Sequence, residues 1–307
     1  MSQVAQQLFN ALQWGSFYAL IALGYSMVYS ILMLFNFAHG DVFMVASYIG
    51  YFVATVLLGL ALGGTLPFSG VVVFVLTLLL TMFLASFIGI AVERVAYRPL
   101  RDAPRASAAI TGLMVGIFLE TLVLWRLGAS RRNFPSLIEV STFQIGPVQV
   151  TNLKLLTIVL AVVLMVLLHL FIQKTKVGMA MRAMSYDYAV IPLMGVPLDL
   201  IIAFTFALGS ALAGAAGVLF GMAYPVLDPY LGVLIGWKAF VAAILGGRGS
   251  ILGAVAGGFL LGFIEILVAA ALTSTMRDLV AYSIVLLILT FRPYGLFGEE
   301  HSVRLRL

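Results

Sequence analysis

The stretch GVVVFVLTLLLTMFLASFIGIAV, Gly70–Val92, runs without one charged residue and decides what kind of molecule this chain is. A helix needs about 20 largely apolar residues to cross ~30 Å of hydrocarbon, and this run is long enough. Similar runs recur on both sides of it. Read against turn and charge signals, they place spans near 10–34, 41–60, 70–92, 107–127, 153–173, 199–222, 250–272 and 278–292, with a shorter apolar piece at 232–246. The fold class expected is an all-α integral membrane protein, a polytopic bundle of about 8–9 transmembrane helices. No room remains for a separate soluble domain, so residues 1–307 are expected to form a single transmembrane unit.

Composition agrees: 63% of the 307 residues are hydrophobic and 9% charged, and the mean hydropathy is +1.15. The net charge of +5 does not point to nucleic acid, because the basic residues are scattered through short loops between apolar runs. With no cysteine there can be no disulfide, thiolate metal site or cysteine nucleophile. Met1 to Asn10 carry no Lys or Arg, so the first apolar run is expected to stay as a span rather than to be removed as a leader.

Lys and Arg in short loops are retained on the cytoplasmic side. Arg94, Arg98, Arg101 and Arg105 form the strongest marker, followed by Lys174, Lys176 and Arg182, then Arg292, Arg304 and Arg306. If 232–246 crosses, the count gives nine spans, an external N-terminus and a cytoplasmic C-terminus. Arg131 and Arg132 run against this scheme, since they lie in the loop 128–152, which it makes the external cap.

Nothing matches a phosphate-binding loop of the form Gly-x4-Gly-Lys-Ser/Thr; the nearest run, Gly246-Gly247-Arg248-Gly249-Ser250, has no lysine. Any ATP would be hydrolysed by another chain. His39, His169 and His301 are scattered, and neither a catalytic constellation nor a metal site is expected. Glycines four apart, Gly217/Gly221, Gly253/Gly257 and Gly258/Gly262, share a helix face and allow close packing of a neighbour.

Charges inside spans are expensive, so Glu120, Lys238 and Glu265 are expected to face protein or water. Lys238 and Glu265 read equally as an ion pair that docks helices and as part of a transport path, whereas Glu120 reads as a side chain reaching for the external surface. The segment Asn36-Phe37-Ala38-His39-Gly40-Asp41 breaks two apolar runs. It reads either as an unwound stretch that binds solute, with Asn36, His39, Gly40 and Asp41 as path candidates, or as a tight turn with an acidic helix start. The segment 174–198 has the length for a short amphipathic helix, bounded by Gly178 before it and by Gly195 and Pro197 after it. Its supply of Met179, Met181, Met184, Tyr186 and Ile191 suits a groove on a partner or the membrane surface.

Several of these stretches are similar to one family. Gly15-Ser16-Phe17-Tyr18-Ala19-Leu20-Ile21-Ala22-Leu23-Gly24-Tyr25, Asn36-Phe37-Ala38-His39-Gly40-Asp41, Glu93-Arg94-Val95-Ala96-Tyr97-Arg98-Pro99-Leu100, Lys238-Ala239-Phe240 and Gly246-Gly247-Arg248-Gly249-Ser250 occur in that order. Together they resemble the permeases of branched-chain amino acid ATP-binding cassette importers over nearly the whole chain. The resemblance implies a bacterial inner-membrane subunit that pairs with a second homologous permease, binds two cytoplasmic ATPases that carry the ATP, and receives solute from an external binding protein. It also implies an ATPase-coupling segment from Met181 to Val196, with Met181, Met184, Asp187, Ile191 and Gly195 as coupling residues. Where many relatives have Glu-Ala-Ala, this chain has Ala189-Val190-Ile191. Urea or a short amide is the alternative solute within that class. Outside it stand an ion-coupled secondary transporter using Glu265, Glu120 and Asp41, and a passive channel.

Overall fold

The computed structural model describes residues 2–63, 69–101, 103–146, 148–186 and 191–298. Among these residues ten α-helices carry the fold: α1 (Ser2–Leu32), α2 (His39–Leu62), α3 (Gly70–Val92), α4 (Arg105–Leu127), α5 (Asn152–Lys174), α6 (Lys176–Tyr186), α7 (Leu198–Ala223), α8 (Trp237–Gly246), α9 (Ile251–Ala271) and α10 (Arg277–Phe291). Seven of them, namely α1 to α5, α7 and α9, are long and apolar enough to cross a membrane. Ser69, Thr151 and Ser250 start α3, α5 and α9 by accepting the N–H of the third residue on, which satisfies one amide the helix itself cannot.

The expected spans are present, with shifted ends. α1 begins at Ser2 rather than at residue 10, because its polar first turns are anchored outside the apolar run. Gln6 exchanges two hydrogen bonds with the backbone of Gln149 in a hairpin of β2 (Thr142–Ile145) and β3 (Val148–Thr151). The opening expected at 36–41 lies instead at Met33–Ala38, with Met33 at φ 54°. His39, Gly40 and Asp41 already form the first turn of α2.

The piece at 232–246 joins the two ends of the bundle. Its approach lies beside the loop 128–152: Phe134 N–H donates to Pro225 O, β1 (Arg132–Asn133) pairs with β4 (Val226–Leu227), and Arg131 sits 3.0 Å from Asp228. A π-helical turn, Gly232–Gly236, leads into α8, whose end packs on the start of α9 and accepts the N–H groups of Leu296 and Phe297. Among the described residues the chain therefore makes nine passages between the two ends, α6 lying across one of them. The ion pair with Asp228 also gives Arg131 a local partner on the side where the charge count disfavours it.

α1 and α7 form the centre, each with 83% of its apolar window buried, against 22% for α4. They run antiparallel, Trp14 against Tyr224 and Gly24 against Gly209. α1 lies along α9 where Gly258 meets Ala19 and Gly262 meets Gly15; α7 lies along α3 where Gly214 meets Ala85 and Ser210 meets Gly89. α2 packs on α3 as α8 packs on α9. The halves α1–α3 and α7–α9 thus repeat one packing pattern in opposite directions, and they cross where Gly40 meets Gly236.

A Cβ on Gly258 would lie 2.5 Å from the Cα of Ala19, a contact only displacement of α1 can relieve. Gly258→Val is expected to destabilise the protein by at least the ~1–3 kcal/mol of core overpacking, read as a lower melting temperature in detergent. Gly59 has open space around its Cβ position. Gly59→Ala is expected to be neutral or to stabilise by up to about 1 kcal/mol.

Candidate functional site

Two charge clusters and one helix crossing collect the buried charged side chains of the described residues together with Asn36 and His39. The first cluster forms where α8, α9 and α10 meet α1. Glu265, 1% exposed, receives Tyr18 Oη–H at 2.8 Å and lies 3.1 Å from Lys238 Nζ. Lys238 also reaches Asp278 at 2.6 Å, and Arg277 approaches both acids, at 3.8 Å from Glu265 and 3.2 Å from Asp278. Lys238 and Glu265, both proposed from sequence, are brought together; Asp278, Arg277 and Tyr18 complete the cluster.

The second cluster was not anticipated. Glu93, also 1% exposed, begins the π-helical turn Glu93–Tyr97 that continues α3. It holds Arg101 and lies 3.9 Å from Arg98, and both arginines continue to Asp199 in the first turn of α7, Arg98 at 2.5 Å. In sequence these residues read as a basic loop marking one side of a membrane. Glu93, one turn from Tyr97 and next to Arg94, was the available signal for an internal acid.

The crossing lies between the clusters. Asn36, 1% exposed, accepts from Tyr97 Oη at 3.2 Å. His39 packs its ring against Gly24 and 4.9 Å from the Tyr25 ring, and its Nε2 has no hydrogen-bond partner among the described residues. Gly40 touches Gly236 and the carbonyl of Gly232; only hydrogen side chains allow this approach. Asp41 sits against Gly232 and Gly116 with Oδ1 buried and unpartnered. Glu120 lies one turn along α4 from Gly116 and is half-buried. The four path candidates 36, 39, 40 and 41 therefore share one place, about which Phe37, Trp237 and Phe240 form an aromatic wall. Lys238 is on α8 beyond this crossing, and Glu265 is on α9.

At the α6 end, the helix starts at Lys176, two residues before the expected boundary. Thr175 Oγ1 accepts Gly178 N–H at 3.0 Å, and Gly178 lies inside the helix because its missing side chain admits the backbone of Ile172. Met181, Met184 and Ile191 are buried against the chain's own helices, so three of the residues named for coupling point inward. The exposed apolar side chains are Met179, Tyr186, Leu193 and Met194. Gly195 ends the segment at φ +77°, a conformation that favours glycine. Asp187 lies outside the described residues, as does His301. Among the described residues no group of three or more His, Cys, Asp or Glu could hold a metal.

Breaking a buried ion pair from one side strands the other charge. Lys238→Met is expected to cost ~3–5 kcal/mol. Lys238→Met combined with Glu265→Gln is expected to cost less than the single change, a sign of coupling that a double-mutant cycle on thermal stability would read directly.

The family described as branched-chain amino acid transport system / permease component matches residues 7–289. The high-affinity branched-chain amino acid transport system permease protein LivH of Escherichia coli (strain K12) is 38% identical over 300 residues, covering 96% of this chain and 95% of its own. The corresponding permease protein BraD of Pseudomonas aeruginosa is 40% identical over 299 residues, with the same coverage of 96% and 95%. These matches span the two halves, the crossing and both clusters. The chain belongs to the branched-chain amino acid permease family of ATP-binding cassette transporters and is a multi-pass membrane protein.

Proposed function

We propose that the chain is the path-forming permease subunit of an importer for branched-chain amino acids in a bacterial inner membrane. It pairs with a second permease, is driven by two cytoplasmic ATPases and is loaded by an external solute-binding protein. The observation that carries this reading is the segment from α6 to Gly195. Its buried methionines fix it to the bundle, and Met179, Tyr186, Leu193 and Met194 are left exposed on the same short stretch. That is the form of a docking platform, rigid beneath and apolar above. The basic clusters at 94–105 and 174–182 lie at this end and put it on the cytoplasmic side. The hairpin and the loop 128–152 then face outward, toward the binding protein.

The solute path is best placed at the crossing of α2 with the Gly232–Gly236 turn. There two interrupted helices meet at the interface of the inverted halves, with their glycine backbones in direct contact and Asp41 Oδ1 unpartnered among the described residues. A carboxylate at this helix break suits an ammonium group, and the aromatic wall suits an apolar side chain. Lys238 and Glu265 act instead as the anchor that docks α8, α9 and α10, in keeping with their mutual pairing.

Affinity purification from native membranes tests the assembly. Leu193→Asp with Met194→Asp is expected to release the ATPase while the second permease still co-purifies. If wild type brings down no ATPase at all, the importer reading fails and an ion-coupled carrier replaces it. In reconstituted vesicles, Asp41→Asn is expected to lower leucine uptake by about tenfold or more, the scale of one charged hydrogen bond, with ATPase binding intact. Unchanged uptake would remove Asp41 from the path.

A further inference from the structure

A second recess lies away from the crossing, at the end of the bundle that carries the hairpin. It is a cavity of about 530 Å3, within the ordinary size of small-ligand sites. Two helix ends of opposite polarity open into it. α5 begins there with Leu153 and Lys154 in its first turn; its leading amides are taken by Ser141 O, Asn152 Oδ1 and Thr151 Oγ1, so the Lys154 ammonium and the positive end of the helix dipole make this wall positive. α7 finishes there with Met222 and Ala223, and Pro225 has no N–H to offer the carbonyl of Gly221, so the facing wall is negative.

Lys154 Nζ is held 2.7 Å from Asn10 Oδ1, an amide partner that uses one proton and leaves the charge unneutralised. No acidic residue is among the described residues that line the cavity. Gln13 of α1 supplies the independent sign of a ligand. It lines the cavity, is 2% exposed, and makes no hydrogen bond among the described residues. Its side chain is otherwise enclosed by protein, so the amide is open only toward the cavity that it lines, where an occupant can bond it. The remaining surface is apolar, with the Trp14 and Tyr224 rings 5.0 Å apart and Ile266 close by.

We propose that this cavity is a binding site within the permease for a free α-amino acid with an apolar side chain. The carboxylate meets the Lys154 ammonium. The ammonium meets Gln13 Oε1 and the terminal carbonyls of α7, and the side chain lies against Trp14, Leu153 and Ile266. The choice of an amino acid rests on the solute class proposed above, but the site does not depend on ATPase docking.

Isothermal titration of the purified full-length chain in nanodiscs tests it with three probes: L-leucine, L-leucinamide and 4-methylpentanoate. Leucine is expected to bind, and each analogue, lacking one charge, to bind about tenfold or more weakly. Lys154→Met and Gln13→Leu are expected to weaken leucine to a similar degree, while Lys154→Arg retains it. The analogue series reports which charges of the ligand are bound, the two variants assign that binding to the cavity rather than to the crossing, and Lys154→Arg guards against a folding defect. Absence of leucine binding to wild type, equal binding of either analogue, or unchanged binding by both variants would each overturn the site. None of these results bears on whether an ATPase co-purifies, which decides the importer reading separately.

Discussion

Two lines of contact where helix backbones meet with almost no side chain between them organise this protein. In a bilayer, apolar side chains gain nothing by leaving lipid for protein, so helices associate through close packing and polar contacts. Gly258 and Gly262 bring α9 onto Ala19 and Gly15 of α1, and Gly89 and Gly214 bring α3 and α7 together. These seams explain why α1 and α7 are central although α3 and α5 are more hydrophobic. They also set the depth of each functional group. With α1 fixed on α9, Tyr18 comes opposite Glu265; with α1 fixed on α7, Gly24 leaves room for the His39 ring.

The same constraint gives the charges a shared logic. Glu265 stands close to the end of α9, and Glu93 directly after the end of α3, helices that occupy equivalent places in the two inverted halves. Each glutamate is nearly inaccessible, each is held by basic residues, and each cluster ends in a half-exposed aspartate, Asp278 or Asp199. Desolvation of a lone carboxylate would be prohibitive, whereas one tied to two cations and a hydroxyl or second acid is tolerated. Because the halves are inverted, the clusters close the bundle at opposite ends. The polar residues at the crossing between them, His39 and Asp41, are left without such partners, which is what favours the proposed solute path there.

Much of this was legible in the residues because bilayer thickness makes length informative. Gly70–Val92 could scarcely be read otherwise, and the cost of burying Lys238 or Glu265 alone made an ion pair one of the two readings that the residues left open. The unread parts depend on tertiary neighbours. Met181 and Met184 share a helix face, but nothing local says whether that face turns inward; α6 packing against the bundle decides it. Ser2–Gln7 is helical because of a hairpin more than a hundred residues away. Arg277 and Asp278 looked like a span boundary, and Glu93 like one acid in a basic loop. Gln13 and Lys154 each sit at the edge of an apolar run, where polar residues ordinarily mark an interface. Only the fold shows that Lys154 reaches Asn10 beside Gln13.

Smooth seams and discrete clusters respond differently to force. Glycine faces can slide with small changes in contact, but an ion cluster is either closed or open, and opening one exposes or strands a charge at a cost of several kcal/mol. A bundle built from both is therefore suited to two well-separated states rather than a continuum. Inverting a 1:99 preference between such states takes ~5.5 kcal/mol of differential binding. A small zwitterion that makes two charged contacts and buries one aliphatic side chain must split its binding energy between the two states, and only the difference counts. On the function proposed above, the chain's own groups hold and release such a solute, while reversing the clusters calls for the larger partner proposed to bind where Leu193 and Met194 are exposed.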